Sequence, residues 1–253
     1  MIHKTTRAEF LAYAYDSTKE FMASIAAHDV YIVKHFYERR HVDDFKAFAT
    51  KFETAHPASW HPCLDGVPDY HRINDEYEGS WVKAKMHGFY IHAFNENRHL
   101  LDGFRDILEL KNHLRGARRD ADYASLPSSG VISRLVSQHY PVGGGYLAEH
   151  IDPHSAFALI QTIVQASTPG IDYQSGGLFM RESDGAQAVF LDQYTDVGDL
   201  FVLTPDVRHG VAPIDPDKMI DWSLDAGRWM ILPIVIRSDY NMDRSLKPKQ
   251  VAT

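Results

Sequence analysis

The chain has 253 residues, 44% of them apolar and 24% charged, which suits one soluble globular unit with a sizeable core. A formal charge of −8 argues against a general nucleic-acid binder, because phosphate contacts need a basic face. The single cysteine, Cys63, excludes an internal disulfide and any site built from several thiolates.

The N-terminal sequence MIHKTTRAEFLAYAYD lacks an export signal's apolar core and small-residue cleavage site. No run approaches the roughly 18 uninterrupted apolar residues of a membrane span. A cytoplasmic enzyme with no membrane partner is therefore expected, and self-association is left open. Phe10, Leu11, Ala14, Phe21, Met22 and Ile25 recur at helical spacing. So do Leu100, Leu101, Phe104, Ile107, Leu108 and Leu114, with Asn95 and Asn97 as candidate caps. Between these patterns His56 to Tyr77 shows no clean period, and Trp81 to Phe94 has room for one or two strands. Residues 1–130 read as a mainly helical N-terminal region.

From Gly130 onward the texture changes. The runs VISRLVSQHY, FALIQTIVQA, GGLFM, AVFL, DLFVLT, GVAPI and RWMILPIVIRS are short and β-rich. They are broken by PVGGG, STPG, SDGA, PDVRHG and DPDK, a pattern that predicts a sandwich or barrel rather than alternating β–α units. The expected fold is α+β. A jelly-roll core, or double-stranded β-helix, has its strands at about 131–240 within a region running from 131 to 253, and the helical N-terminal region packs against it.

His150-Ile-Asp152 lies in one of these β-like segments, where residues two apart project to the same side. His209 follows 57 residues after Asp152, in GDLFVLTPDVRHGVAP. Two histidines and one carboxylate on one face grip a cation and leave its other positions open, as a non-haem iron(II) oxygenase requires. Spacing alone does not carry this, because His41-Val-Asp43 has the same spacing in a helical-looking charged stretch. The triple glycine at 143–145 is followed by neither Lys-Ser/Thr nor a helix, so it reads as a turn rather than a phosphate cradle. There is no Gly-x-Ser-x-Gly elbow and no His-Glu-x-x-His helix.

In order, the chain reads Tyr140-Pro-Val-Gly-Gly-Gly-Tyr146-Leu-Ala-Glu-His150-Ile-Asp152, then Ser175-Gly176-Gly177, then Gly198-Asp199 before an apolar run, then His209-Gly-Val211-Ala-Pro213. Stretch 131–238 thereby resembles the iron(II)/2-oxoglutarate-dependent oxygenases, in particular their prolyl-hydroxylase-like branch. The resemblance implies iron(II) held by His150, Asp152 and His209, with 2-oxoglutarate and dioxygen as co-substrates. It further implies a basic residue on a strand after the distal histidine, pairing with the keto acid's far carboxylate through a two-pronged guanidinium. Arg228 takes that position, 19 residues after His209 if DPDKMIDWSLDA is an insertion; Arg237 is the rival. Tyr140 is a second candidate contact. Gln161 and Gln165 share one side of their strand, where inward polar groups need partners, and Gln161 joins the cofactor contacts.

Asp206, Arg208 and Trp222 are weaker candidates for the pocket rim, and Trp81, Lys83, Lys85, His87 and Tyr90 for a lid. Retention of Asp152, where related halogenases carry a small residue, implies hydroxylation or another oxidation rather than halogenation. The expected function is oxidation of an unactivated C–H bond of a small molecule, an amino acid or natural-product intermediate. The alternatives are a cupin-like metal enzyme that does not use 2-oxoglutarate, an oxygenase acting on a protein residue, and a metal-free binding module.

Overall fold

The computed structural model describes residues 1–55, 69–73, 82–92, 98–121, 131–152 and 157–237, with side chains left undescribed at 69–73, 92, 98, 131, 132 and 237. Cys63, Asn95, Asn97, Trp81, most of the His56–Tyr77 stretch and the side chain of Arg237 lie outside the described residues.

The first elements are β1 (Ile2–Thr6), α1 (Arg7–Asp16), α2 (Thr18–Ala26), β2 (Val30–Lys34), α3 (Arg39–Ala55), β3 (Asp69–Ile73), β4 (Ala84–His92), α4 (Arg98–Asp102) and α5 (Arg105–Leu114). Helix α1 starts at a capping box, in which the Thr6 hydroxyl and the Glu9 carboxylate each accept from the other residue's backbone N–H. The expected helices form, yet this part also supplies strands. β1 pairs in parallel with β2. β2 reads as an unbroken buried run, so it lacks the alternation that marks a half-buried strand.

The later strands are β5 (Val131–Pro141), β6 (Gly145–His150), β7 (Gln161–Gln165), β8 (Gly177–Arg181), β9 (Val189–Phe190), β10 (Leu200–Leu203), β11 (Arg208–Ile214) and β12 (Gly227–Arg237). They form two four-stranded layers in the orders β10-β7-β12-β5 and β6-β11-β8-β9. This is the interleaved order of a jelly roll. β4 joins the layers, pairing with β5 along His87–His92 and with β6 at Ala84 and Lys85. β2 and β1 extend the first layer beyond β10.

Alternation along β5 and β12 sets both cores. Val136, Tyr140, Met230 and Leu232 point between the layers, with Ile163, Phe201, Leu178 and Val211. Leu135, Trp229 and Ile231 point outward and are covered by Phe21, Phe45, Phe104 and Ile107 of the N-terminal region. The first layer is therefore buried on both faces, which is how the helices pack onto the jelly roll. The PVGGG segment forms the turn between β5 and β6, and a Cβ on Gly143 would meet the Ile220 backbone at 2.3 Å. The insertion assumed before Arg228 falls in the connection from β11 to β12. Among the described residues no helix is long and apolar enough to cross a membrane.

Candidate metal centre and co-substrate pocket

β6 and β11 run antiparallel with His150 opposite His209, and their rings lie 4.5 Å apart. Asp152 follows the end of β6, where its N–H donates to the Pro205 carbonyl at 3.2 Å. Each imidazole is oriented by a bond behind it. His150 Nδ1 lies 2.9 Å from the Ala148 carbonyl, and His209 Nδ1 lies 3.0 Å from the Val207 carbonyl. A carbonyl only accepts, so Nδ1 carries the proton and Nε2 keeps a lone pair for a metal. The two Nε2 atoms sit 3.4 and 3.5 Å from the Asp152 carboxylate. Burial pushes His209 below its usual range, which keeps it neutral and able to ligate. Burial raises the Asp152 carboxyl, but its neighbours His150, His209 and Lys111 outweigh that effect, and the carboxyl lies below its usual range.

Ligand atoms of His150, Asp152 and His209 all lie within 4.8 Å of one another, and no other such group occurs among the described residues. The His41-Val-Asp43 pair lies on α3, where a separation of two points side chains apart; His41 stacks on Tyr37 and tilts against Phe104. Gln161 lies beside the triad, its Nε2 donating to Asp152 Oδ2 at 2.6 Å. In this structure its partner is thus the carboxylate of the candidate triad, whose orientation it fixes.

Between the layers, Arg228 on β12 faces Tyr140 on β5. Arg228 is fully buried, and its guanidinium carbon lies 5.9 Å from the Tyr140 ring centre. Its two-pronged edge is taken, however, by Asp192: Nε donates to Oδ2 at 2.7 Å and Nη2 to Oδ1 at 3.0 Å. Tyr173 Oη and the Leu178 N–H also donate to Asp192, and a Cβ on Gly177 (φ +112°) would collide with that carboxylate at 2.3 Å. The fork expected for a cofactor carboxylate is therefore occupied from within the chain. Sequence reasoning missed Asp192, since nothing in AVFLDQY shows that a short 3-10 turn directs this aspartate inward.

Two donors are left over beside that ion pair. Arg228 Nη1 and Gln165 Nε2 are buried and have no hydrogen-bond partner, while Gln165 Oε1 accepts from Arg228 Nη2 at 3.2 Å. Unmade bonds at buried donors cost about 1–3 kcal/mol each, so this site suits an incoming acceptor. Tyr140 donates to Gln138 Oε1 at 2.7 Å, and burial pushes its phenol well up, so it stays neutral.

One further buried cation carries no motif. Lys111 on α5 is buried, and burial pushes its ammonium down to about 7 while the Asp152 charge partly holds it up. The weaker candidates make the following contacts. His87 and His139 stack in the outer core, with Trp222 edge-on to His87 and Trp229 tilted against His139. Arg208 and Arg181 both approach Glu149, Asp206 and Lys83 are exposed, and Lys85 is half-buried. Tyr90 lies under the Arg134 guanidinium.

No protein-family model matches the sequence, and no curated protein matches it. Solved structures do. A Pseudomonas putida prolyl-4-hydroxylase is 15% identical, covering 85% of this chain and 96% of its own, with a TM-score of 0.50. A Caulobacter crescentus protein described as belonging to the 2OG-Fe(II) oxygenase family is 15% identical over 94% and 86%, with a TM-score of 0.53. A full-length Neurospora crassa protein in complex with alpha-KG is 12% identical over 92% and 83%, with a TM-score of 0.53. Across its two layers and added helices, this chain has the fold of the prolyl hydroxylases and other 2OG-Fe(II) oxygenases.

Proposed function

We propose that the chain is an iron(II)- and 2-oxoglutarate-dependent oxygenase that hydroxylates, or otherwise oxidises, an unactivated C–H bond of a small molecule. The convergence of two imidazole Nε2 atoms and one carboxylate, each braced from behind, carries this reading. His150, Asp152 and His209 would hold the iron, and the donors left over at Arg228 Nη1 and Gln165 Nε2 would receive the far carboxylate of 2-oxoglutarate. Bound together, these groups supply oxidising power, as 2-oxoglutarate and dioxygen give succinate and carbon dioxide while the second oxygen atom enters the product.

The chain's own contribution is positional. Carbonyl bonds behind the histidines fix their tautomer, and Gln161 fixes the Asp152 rotamer. A cupin-like enzyme without 2-oxoglutarate would leave the donors at Arg228 and Gln165 unexplained. The reading is tested by measuring succinate release across a library of small molecules, with mass spectrometry for a gain of one oxygen atom. Product formation that needs iron and 2-oxoglutarate, and disappears in His150→Ala, is expected. Full activity in metal-stripped protein would overturn it.

A further inference from the structure

A guanidinium carries five N–H donors in a fixed fork, and its strength as a carboxylate receptor lies in offering two of them in parallel. Arg228 uses three within the chain: Nε and Nη2 hold Asp192, and Nη2 also reaches Gln165 Oε1 at 3.2 Å. Each two-pronged edge of the fork needs Nε or Nη2, so neither edge is free. What remains for an incoming group is Nη1, together with Nε2 of the bonded Gln165, on two side chains that are both fully buried.

A co-substrate cannot simply displace Asp192. Its Oδ2 accepts from Arg228 Nε at 2.7 Å, from the Tyr173 hydroxyl at 2.5 Å and from the Leu178 N–H at 3.1 Å. Asp192 is only 2% exposed, and its carboxylate fills the space that a Cβ on Gly177 would need. Swinging it aside would leave these buried donors unmade. An incoming carboxylate therefore joins a charge pair that is already neutral. Tyr140 and Tyr173, both kept protonated by burial, add no charge of their own.

We propose that Asp192 sets the co-substrate specificity of this pocket: by neutralising Arg228, it makes the site read the far end of a 2-oxo acid as a hydrogen-bond acceptor rather than as a charge. Acids whose far end is an uncharged acceptor are then taken alongside 2-oxoglutarate. An unpaired arginine would favour a carboxylate through its charge and through two parallel bonds. Here the Asp192 charge opposes the first effect, and the occupied Nε and Nη2 remove the second. The role rests on the oxygenase reading above, which brings a 2-oxo acid to these donors.

The test is binding without turnover: anaerobic titration of the iron(II) protein, read as the charge-transfer absorption of the chelated keto acid. 2-Oxoglutarate is compared with 2,5-dioxohexanoate, whose methyl ketone keeps an acceptor oxygen at equal size without the charge. 2-Oxohexanoate, which lacks that oxygen, is the control. In the wild type, Kd for 2,5-dioxohexanoate should lie within about tenfold of that for 2-oxoglutarate, and 2-oxohexanoate should bind about tenfold more weakly still. Asp192→Asn keeps the size and removes the charge, so the gap between the first two acids should widen by about tenfold or more. Gln165→Leu spares the ion pair and should weaken both of those acids alike, by about three- to tenfold. A wild-type gap well beyond about tenfold, or an Asp192→Asn variant whose gap does not widen, would overturn the proposal. Should Asp192→Asn not fold, the wild-type gap and the equal loss in Gln165→Leu decide it. Failure of the oxygenase reading shows separately, as the absence of any band with all three acids.

Discussion

Arg228 and Asp192 meet inside the barrel through two hydrogen bonds, and a charge pair in such a place is held by mutual need. Removing one partner strands the other, so Asp192→Ala should destabilise the protein by about 3–5 kcal/mol in urea denaturation. It should also weaken 2-oxoglutarate binding, because the guanidinium loses the anchor that aims Nη1. Arg228→Gln should raise KM for 2-oxoglutarate while leaving iron content unchanged, whereas Gln161→Leu should lower iron affinity on the order of 10- to 100-fold. These opposite signatures separate the two sites. The triad is legible in the sequence because extended spacing and neighbouring glycines constrain it locally. Asp192 and Lys111 are not legible there. One depends on a turn that swings it inward, the other on a helix continuing an apolar stripe with a lysine one turn after Ile107.

At the scale of elements, the first layer works only because both of its faces are covered. Trp229 and Ile231 alternate with Met230 and Leu232 along β12, and the outward set needs the helices. Phe104 is 1% exposed and touches Phe45, Tyr37 and His41 from above that face. Phe104→Ala should cost about 3–5 kcal/mol in urea denaturation with iron affinity retained, since the triad hangs on β6 and β11 of the other layer. The apolar periodicity of α1, α2, α4 and α5 makes that covering legible in the sequence, because a stripe on one helix face needs a surface to bury it. β2 escapes notice there, since a short strand with four successive buried residues, VYIV, has no period of two to detect.

Across the whole molecule, acid stability reports on burial of the outer core. His139 is fully buried, and burial pushes it down to about 4 despite the favourable bond to the Ala226 carbonyl. In the unfolded chain an ordinary histidine titrates near 6.5, so between these values the unfolded state binds the extra proton. Its neutral burial therefore costs nothing above about pH 6.5, and stability falls by about 3 kcal/mol as the pH drops toward 4. Denaturation midpoints at neutral and mildly acidic pH should show this decline, and His139→Gln should flatten it. The central claim is that one barrel interior holds iron(II) at the triad and, on that iron, a 2-oxoglutarate whose far carboxylate reaches Arg228. The most direct measurement is anaerobic absorption spectroscopy of the iron(II) protein titrated with 2-oxoglutarate. The account predicts a visible metal-to-ligand charge-transfer band that saturates, is absent in His150→Ala, and requires far more 2-oxoglutarate in Arg228→Gln. A wild-type protein that binds iron(II) and shows no such band would contradict it.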